Sequence, residues 1–176
     1  MMDKWNDGTR VVTVARLVVV VLLVCLSTTA GAQQKPRTLA VDDTARGIFV
    51  GAWLQKAPES GEALHGLPVV LEFWSTWCKP CIAAFPHINA LADAFSDRFQ
   101  FISISQESRT TVEPFLKKHD MHTSVAVDTE QGTTHKVFGV WAIPRTFVLS
   151  TEGVVLWTGH PTKLTAEMLA EFSRNR

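Results

Sequence analysis

Apolar residues run through Val69, Val70 and Leu71 and resume at Phe73 and Trp74, with Glu72 as the one interruption. A near-continuous apolar run of this length suits a central strand covered on both faces. Behind it, Ile82, Phe85, Ile88, Leu91, Ala92 and Phe95 recur at helical spacing and predict a helix from about Cys78 to Phe95. Pro86 lies inside that helix, lacks a donor and crowds the preceding turn. Phe99–Ser105 reads as a second buried strand and Ser124–Val127 as a third. A helix is expected over Thr111–His119. Capping by Thr111 keeps Pro114 among positions whose donors are unpaired anyway. Gln131–Phe138 reads as a short helix closed by Gly139. Thr146–Leu149 and Val154–Trp157 predict a hairpin around Thr151-Glu-Gly153. Thr165 caps a last helix through Phe172, with Leu164 and Leu169 placed as a hydrophobic staple. Upstream, Ile48–Gln55 reads as an edge strand and Lys56–Gly66 as a loop. Gln33–Arg46 is polar and reads as a flexible lead-in, with at most a short strand at Thr38–Val41. The alternation of strand and helix argues an α/β fold with a mixed sheet.

The 176 residues, 46% hydrophobic, suffice for one domain with a real core. Basic and acidic residues balance at 17 each, so no charge bias points to nucleic acid or anionic lipid. Residues 1–32 read as an address: Lys4, Arg10 and Arg16, an apolar run from Leu17 to Leu26, then Ala30-Gly31-Ala32 as a signal-peptidase site. The run is short of the roughly 20 residues a bilayer span needs, so a cleaved signal is preferred over a membrane anchor. Cys25 follows Val24 where lipid attachment wants a small residue, and it reads as a small hydrophobe of the leader. The expected organisation is a leader at 1–32, a lead-in and edge strand at 33–66, and the main domain at 67–176. Outside the cytosol disulfides persist.

Of three cysteines, two survive removal of the leader: Cys78 and Cys81, at the junction of the strongest strand with the strongest helix. A bridge between them closes so small a loop that it constrains the unfolded chain little, which favours redox chemistry over a structural staple. The helix N-terminus offers free N–H groups and partial positive charge, and Lys79 adds a cation. Lowering a thiol pKa by two units takes ~2.7 kcal/mol of preference for the anion. Cys78 is therefore expected to be an exposed, ionised nucleophile, and Cys81, one turn on, the resolving thiol. Pro80 costs no helix bond in the first turn. A zinc site would want a second ligand pair, which the processed chain lacks. Glu72 shares a strand face with Val70 and Trp74. Desolvation there raises a carboxyl pKa, which fits a proton acceptor for Cys81; a buried carboxylate satisfied by a lysine or by backbone groups is the alternative. Trp74 reads as core. Trp77 reads either as core or as a flat apolar surface beside the sulfurs. Pro144, after Ile143 and just before a sheet strand, is a candidate cis proline.

The stretch Val70-Leu-Glu-Phe-Trp-Ser-Thr-Trp-Cys-Lys-Pro-Cys81 with Pro86, then Gly139-Val-Trp-Ala-Ile-Pro-Arg-Thr-Phe147 and Gly153-Val-Val-Leu-Trp-Thr-Gly159, resembles the thioredoxin superfamily. Within it the resemblance is to the exported TlpA/ResA-type thiol–disulfide oxidoreductases. It implies a thioredoxin-like fold: a central mixed sheet, helices on both faces, and an inserted strand–helix segment between Ser105 and Val137. It implies a cis Pro144 lying against Cys78, an Ile143 backbone that pairs with an extended substrate, and Glu72 in the place of thioredoxin's buried carboxylate. Trp77, Lys79 and Pro80 would border the substrate. The implied role is a reductant outside the cytosol, in the periplasm, acting on oxidised exported proteins, including apocytochrome c, and recharged by a membrane thiol donor. No cofactor and no metal is implied. Ala84 stands where cytochrome-maturation members often carry Glu, and Arg145 follows the proline where Thr is common, favouring acidic or polar targets.

Two other readings compete. A copper-handling protein would hold Cu(I) through Cys78 and Cys81, since soft thiolates suit that ion. A thiol-independent chaperone would work without either cysteine. His119, Met121 and His122 read as a solvated helix end and loop, and His65, His87, His135 and His160 as surface or cap residues.

Overall fold

A computed structural model describes residues 35–58 and 66–174. The leader, with its signal and anchor readings, and His65 lie outside the described residues. Strands β1 (Val50–Gln55), β2 (Val69–Trp74), β3 (Gln100–Ser105), β4 (Ser124–Asp128), β5 (Arg145–Leu149) and β6 (Val155–Gly159) form one sheet in the order β1-β4-β3-β2-β5-β6. The pairs β2–β3 and β3–β4 are parallel, while β1–β4, β2–β5 and β5–β6 are antiparallel, so the sheet is mixed. All six residues of β2 are buried, as its apolar run requires of a central strand.

Alternation along β2 divides the core. Val69, Leu71 and Phe73 face one side with Ile102, Ile104, Phe138 and Phe147. Val70 faces the other with Ile88, Leu91, Phe95 and Phe101. Helix α1 (Lys79–Phe95) covers this second side, and α3 (Thr133–Phe138) sends Phe138 into the first. Helix α4 (Ala166–Arg174) begins as its sequence indicates. The Met168 N–H donates to Thr165 Oγ1 at 3.3 Å, and Leu164 and Leu169 are fully buried in one cluster.

Helix α2 spans Arg109–Leu116, not Thr111–His119. Its N-cap is Ser108, so neither Thr110 nor Thr111 caps it, and Pro114 lies in its interior. Two local features favour the earlier start. The Ser108 hydroxyl bonds those of Thr110 and Thr111, and Arg109 pairs with Glu113 at 3.1 Å one turn on. The bond that Pro114 cannot make would have gone to the carbonyl of Thr110, an exposed residue.

The lead-in also departs from expectation. It forms no strand at Thr38–Val41, yet it is fastened to the domain. Leu39 N–H donates to the Phe138 carbonyl at 3.1 Å and Thr38 Oγ1 to the Gly139 carbonyl at 2.6 Å. Trp141 Nε1 donates to the Pro36 carbonyl at 2.8 Å, and Lys35 Nζ sits 5.1 Å from the Trp141 ring centroid. Gly139 closes α3 in the left-handed region (φ 61°), and any Cβ there would collide with the Arg37 carbonyl. Polarity alone suggested mobility. Backbone groups of the loop after α3, which have no sheet partner, supply the attachment instead.

Candidate active site

Strand β2 ends at Trp74, fully buried against Phe85 and Phe115, and the chain then turns so that Cys78 N–H donates to the Ser75 carbonyl at 3.1 Å. Glu107, just beyond the end of neighbouring β3, holds this turn. Its carboxylate accepts from Thr76 N–H at 2.6 Å, from Thr76 Oγ1 at 2.7 Å and from Ser105 Oγ at 3.2 Å. Trp74 pairs with Ser105 across β2–β3, so residues just past the two strand ends meet. Glu107 was missed in the sequence. An acidic residue two positions after the second buried strand was the available signal, but its use depended on knowing that β3 lies beside β2.

Cys78 caps α1: its backbone is extended, and its Sγ accepts from Cys81 N–H at 3.3 Å. Cys78 and Cys81 are joined by a disulfide. Pro80 falls in the first turn, where its missing donor costs nothing. Lys79, Pro80 and Trp77 are exposed, Trp77 at 70%. The peptide bond Ile143–Pro144 is cis, and Ile143 packs on the cluster that contains Trp74, Cys78 and Cys81.

One expectation is corrected. Cys78 is only 3% exposed and Cys81 is fully buried. Phe85, Val112, Met121 and Ile143 belong to the same cluster, in which Cys78 is bridged to the fully buried Cys81.

Glu72 is 1% exposed on the same side of the sheet as Trp74. Burial pushes its carboxyl up to about 7, and the Ser103 hydroxyl, donating to Oε2 at 3.0 Å, opposes that. Ser103 in turn accepts from Thr123 Oγ1 at 2.9 Å. Oε1 has no hydrogen-bond partner among the described residues, and neither has the hydroxyl of Thr146, which pairs with Glu72 across β2–β5. The one partner seen at Glu72 is thus a side-chain hydroxyl, with neither a lysine nor a backbone group bonded to it among the described residues.

The histidines fall elsewhere. His135 is not a surface residue: it is 4% exposed, edge-on to Phe73 with centroids 4.7 Å apart, and its Nδ1 lies 2.7 Å from Asp128 Oδ2. His87 Nε2 bonds the Leu164 carbonyl, and His160 caps the turn at Pro161–Lys163. His119 stacks on Phe115, Met121 is buried, and His122 sits between Asp93 and Asp120. Among the described residues no three His, Cys, Asp or Glu side chains converge as a metal site. None of the described helices is long and apolar enough to cross a membrane.

A mixed sheet with a Cys-x-x-Cys disulfide at the N-terminus of its longest described helix, and a cis Ile143–Pro144 bond whose Ile143 packs on the same cluster, defines the thioredoxin-like class. A profile of the AhpC/TSA family matches residues 55–158, more than half the chain, and the chain belongs to that family. Thiol-disulfide oxidoreductase ResA of Bacillus thuringiensis subsp. konkukian (strain 97-27) is 33% identical over 111 residues, 61% of this chain and 62% of the relative. Sporulation thiol-disulfide oxidoreductase A of Bacillus subtilis (strain 168) is 28% identical over 116 residues, 61% of this chain and 67% of the relative. The matched region thus spans about three fifths of the ResA relative's length. Among solved structures, StoA from Bacillus subtilis superposes with a TM-score of 0.55 at 27% identity, over 70% of this chain and 98% of that one. A thiol:disulfide interchange protein, DsbE, from Chlorobium tepidum shares the fold with a TM-score of 0.63 at 23% identity, over 77% and 99%.

Proposed function

We propose that the protein is a thiol–disulfide oxidoreductase that reduces disulfides of exported proteins through Cys78 and Cys81. The observation that carries this reading is the cysteine bridge at the start of α1, with the Cys81 N–H already directed at the Cys78 sulfur and an ionisable buried carboxyl on the same side of the sheet. In the reduced protein, that N–H and the other free donors of the helix end stabilise a Cys78 thiolate. The thiolate attacks one sulfur of the target bridge and expels the other as a thiolate. Cys81 then loses its proton to Glu72 and attacks Cys78, restoring the intramolecular disulfide and releasing the second target thiolate. Two electrons pass to the target, and the released thiolates take protons from solvent.

Trp77, Lys79 and Pro80 border the approach, and the Ile143 backbone beside cis Pro144 pairs with the extended target segment. The relatives named thiol-disulfide oxidoreductases support the activity. The basic and apolar pattern of residues 1–32 supports export to the periplasm, with a membrane thiol donor recharging the dithiol and apocytochrome c among the candidate targets. Residues 67–176 contain every site residue named here.

Insulin reduction with dithiothreitol as donor tests the class. The wild-type protein accelerates it and Cys78→Ser does not; equal rates would remove the assignment. Cys81→Ser is expected to accumulate targets as mixed disulfides, which identifies them.

A further inference from the structure

A buried base needs a way to exchange its proton. Glu72 is 1% exposed, yet the mechanism charges it with Cys81's proton in every cycle. Its Oε2 accepts from Ser103 Oγ at 3.0 Å, and Ser103 Oγ accepts from Thr123 Oγ1 at 2.9 Å. Ser103 is fully buried and Thr123 is 2% exposed. Thr123 immediately precedes β4, and its sequence neighbours His122 and Ser124 are partly exposed. Among the described residues no other polar group on this side forms a hydrogen-bonded row with Glu72. The Thr146 hydroxyl has no partner, Trp74 Nε1 can only donate, and Ser105 is tied to Glu107.

The end of the row is held in place. Asn89 of α1 accepts from His122 N–H at 2.9 Å and donates to the Asp120 carbonyl at 2.9 Å. Gln55 of β1 donates to the carbonyls of Met121 and Thr123. Two elements, α1 and β1, thus fix the segment that carries Thr123, whose hydroxyl meets Ser103.

We propose that Ser103 and Thr123 are positioning residues of a hydroxyl relay that carries Glu72's proton between the buried carboxyl and the rim of the sheet beside His122. This rests on the proposed role of Glu72 as proton acceptor. Each hydroxyl both donates and accepts, so a proton taken by Glu72 from Cys81 leaves in a concerted shift. Glu72 O–H passes its proton to Ser103, Ser103 passes its own to Thr123, and Thr123 releases one to water. One proton leaves Cys81 and one reaches solvent; no electron moves along the row. Both hydroxyls turn outward before this shift, and the shift itself leaves them donating toward the carboxylate, the orientation seen in the structure. From β3 Glu72 faces Ser103, from β5 Thr146 by register, and α1 places Cys81 on the same side. Burial and the Ser103 bond are the influences on its ionisation, and no charged side chain contributes.

The test follows oxidation of the reduced full-length protein by oxidised glutathione in rapid mixing, at several pH values and in mixtures of light and heavy water. Infrared titration of the Glu72 carboxyl runs in parallel. Thr123→Val is expected to slow resolution at pH 7 by at least about ten-fold and to change the solvent isotope dependence, with the Glu72 titration unmoved. Thr123→Ser, which keeps the hydroxyl, is expected to restore the wild-type rate. Ser103→Ala is expected both to slow resolution and to raise the Glu72 midpoint, and it gives an independent reading should Thr123→Val not fold. Wild-type rates and isotope effects in Thr123→Val or Ser103→Ala overturn the relay, as does Thr123→Ser slowed as much as Thr123→Val. Glu72→Gln separates the two levels. If it is slow while both hydroxyl variants are fast, only the relay falls. If Glu72→Gln is also fast, the role of Glu72 falls with it.

Discussion

Glu72 and Asp128 are both buried in the sheet, 1% and 7% exposed, and the protein treats them in opposite ways. Burial acts to raise both. At Asp128 it is outweighed by the His135 ring and by the backbone N–H groups of His135, Thr134 and Thr129, which hold the carboxyl below its ordinary value. At Glu72 a single hydroxyl opposes burial, and the carboxyl rises to about 7. Asp128 ties the end of β4 to the start of α3, where free donors gather. Glu72 lies mid-strand, where backbone donors are consumed by the ladder on both sides. The number of donors in reach, rather than depth, decides whether a buried acid is a structural tie or a titrating group.

That contrast can be broken from either side. Asp128→Ala strands the donors it served and is expected to cost about 4 kcal/mol in denaturant unfolding, with the redox rate of the folded fraction unchanged. A loss below about 1 kcal/mol would refute its structural role. Glu72→Gln is expected to do the reverse. Because the folded carboxyl lies above its ordinary 4.5, the protonated form is favoured by folding, and stability drains away as pH rises from about 4.5 to 7. The Gln variant, which cannot ionise, should match wild type at pH 4 and exceed it at pH 8 by roughly 3 kcal/mol at most, while turnover falls about 100-fold. Equal pH–stability curves for the two would show that Glu72 does not titrate in the folded protein.

Glu107→Ala is expected to be milder. It removes the brace on Thr76 for about 1–2 kcal/mol and slows exchange by loosening the Cys78 turn, read as faster amide exchange at residues 76–78. Smallest is Asp93→Asn. Asp120 first, then Asp93, raise the His122 pKa, so the charged ring stabilises the fold at low pH and that contribution disappears as pH climbs through the raised value. The variant should lower the His122 midpoint by nuclear magnetic resonance and leave the melting temperature almost unmoved, since the cluster is solvent-facing.

Much of this was legible locally. The apolar run of β2, the cap-and-proline start of α1, the Gly139 stop and the Leu164–Leu169 staple each depend on residues within one turn or strand. So do Cys78, Cys81 and the anomaly of Glu72. What stayed hidden was set by register. Ser103 lies beside Glu72, 31 residues apart in sequence, only because β3 runs parallel to β2 without slippage. Glu107 and Thr76 meet for the same reason. The Asp128–His135 tie was nearer to hand, as an acid placed just before a short helix, but His135 offered no periodic signal of burial. The exposed Cys78 sulfur was inferred from chemical need, and packing around the closed bridge gave a different answer.

The strap from Lys35 to Leu39 places a lysine against an indole three residues ahead of the cis proline. That indole is half in water, so its emission will register any loosening of the strap or swing of the loop. A small dye on a cysteine introduced at position 35 would turn the contact into an optical gauge of target docking, read on single molecules without touching either redox sulfur.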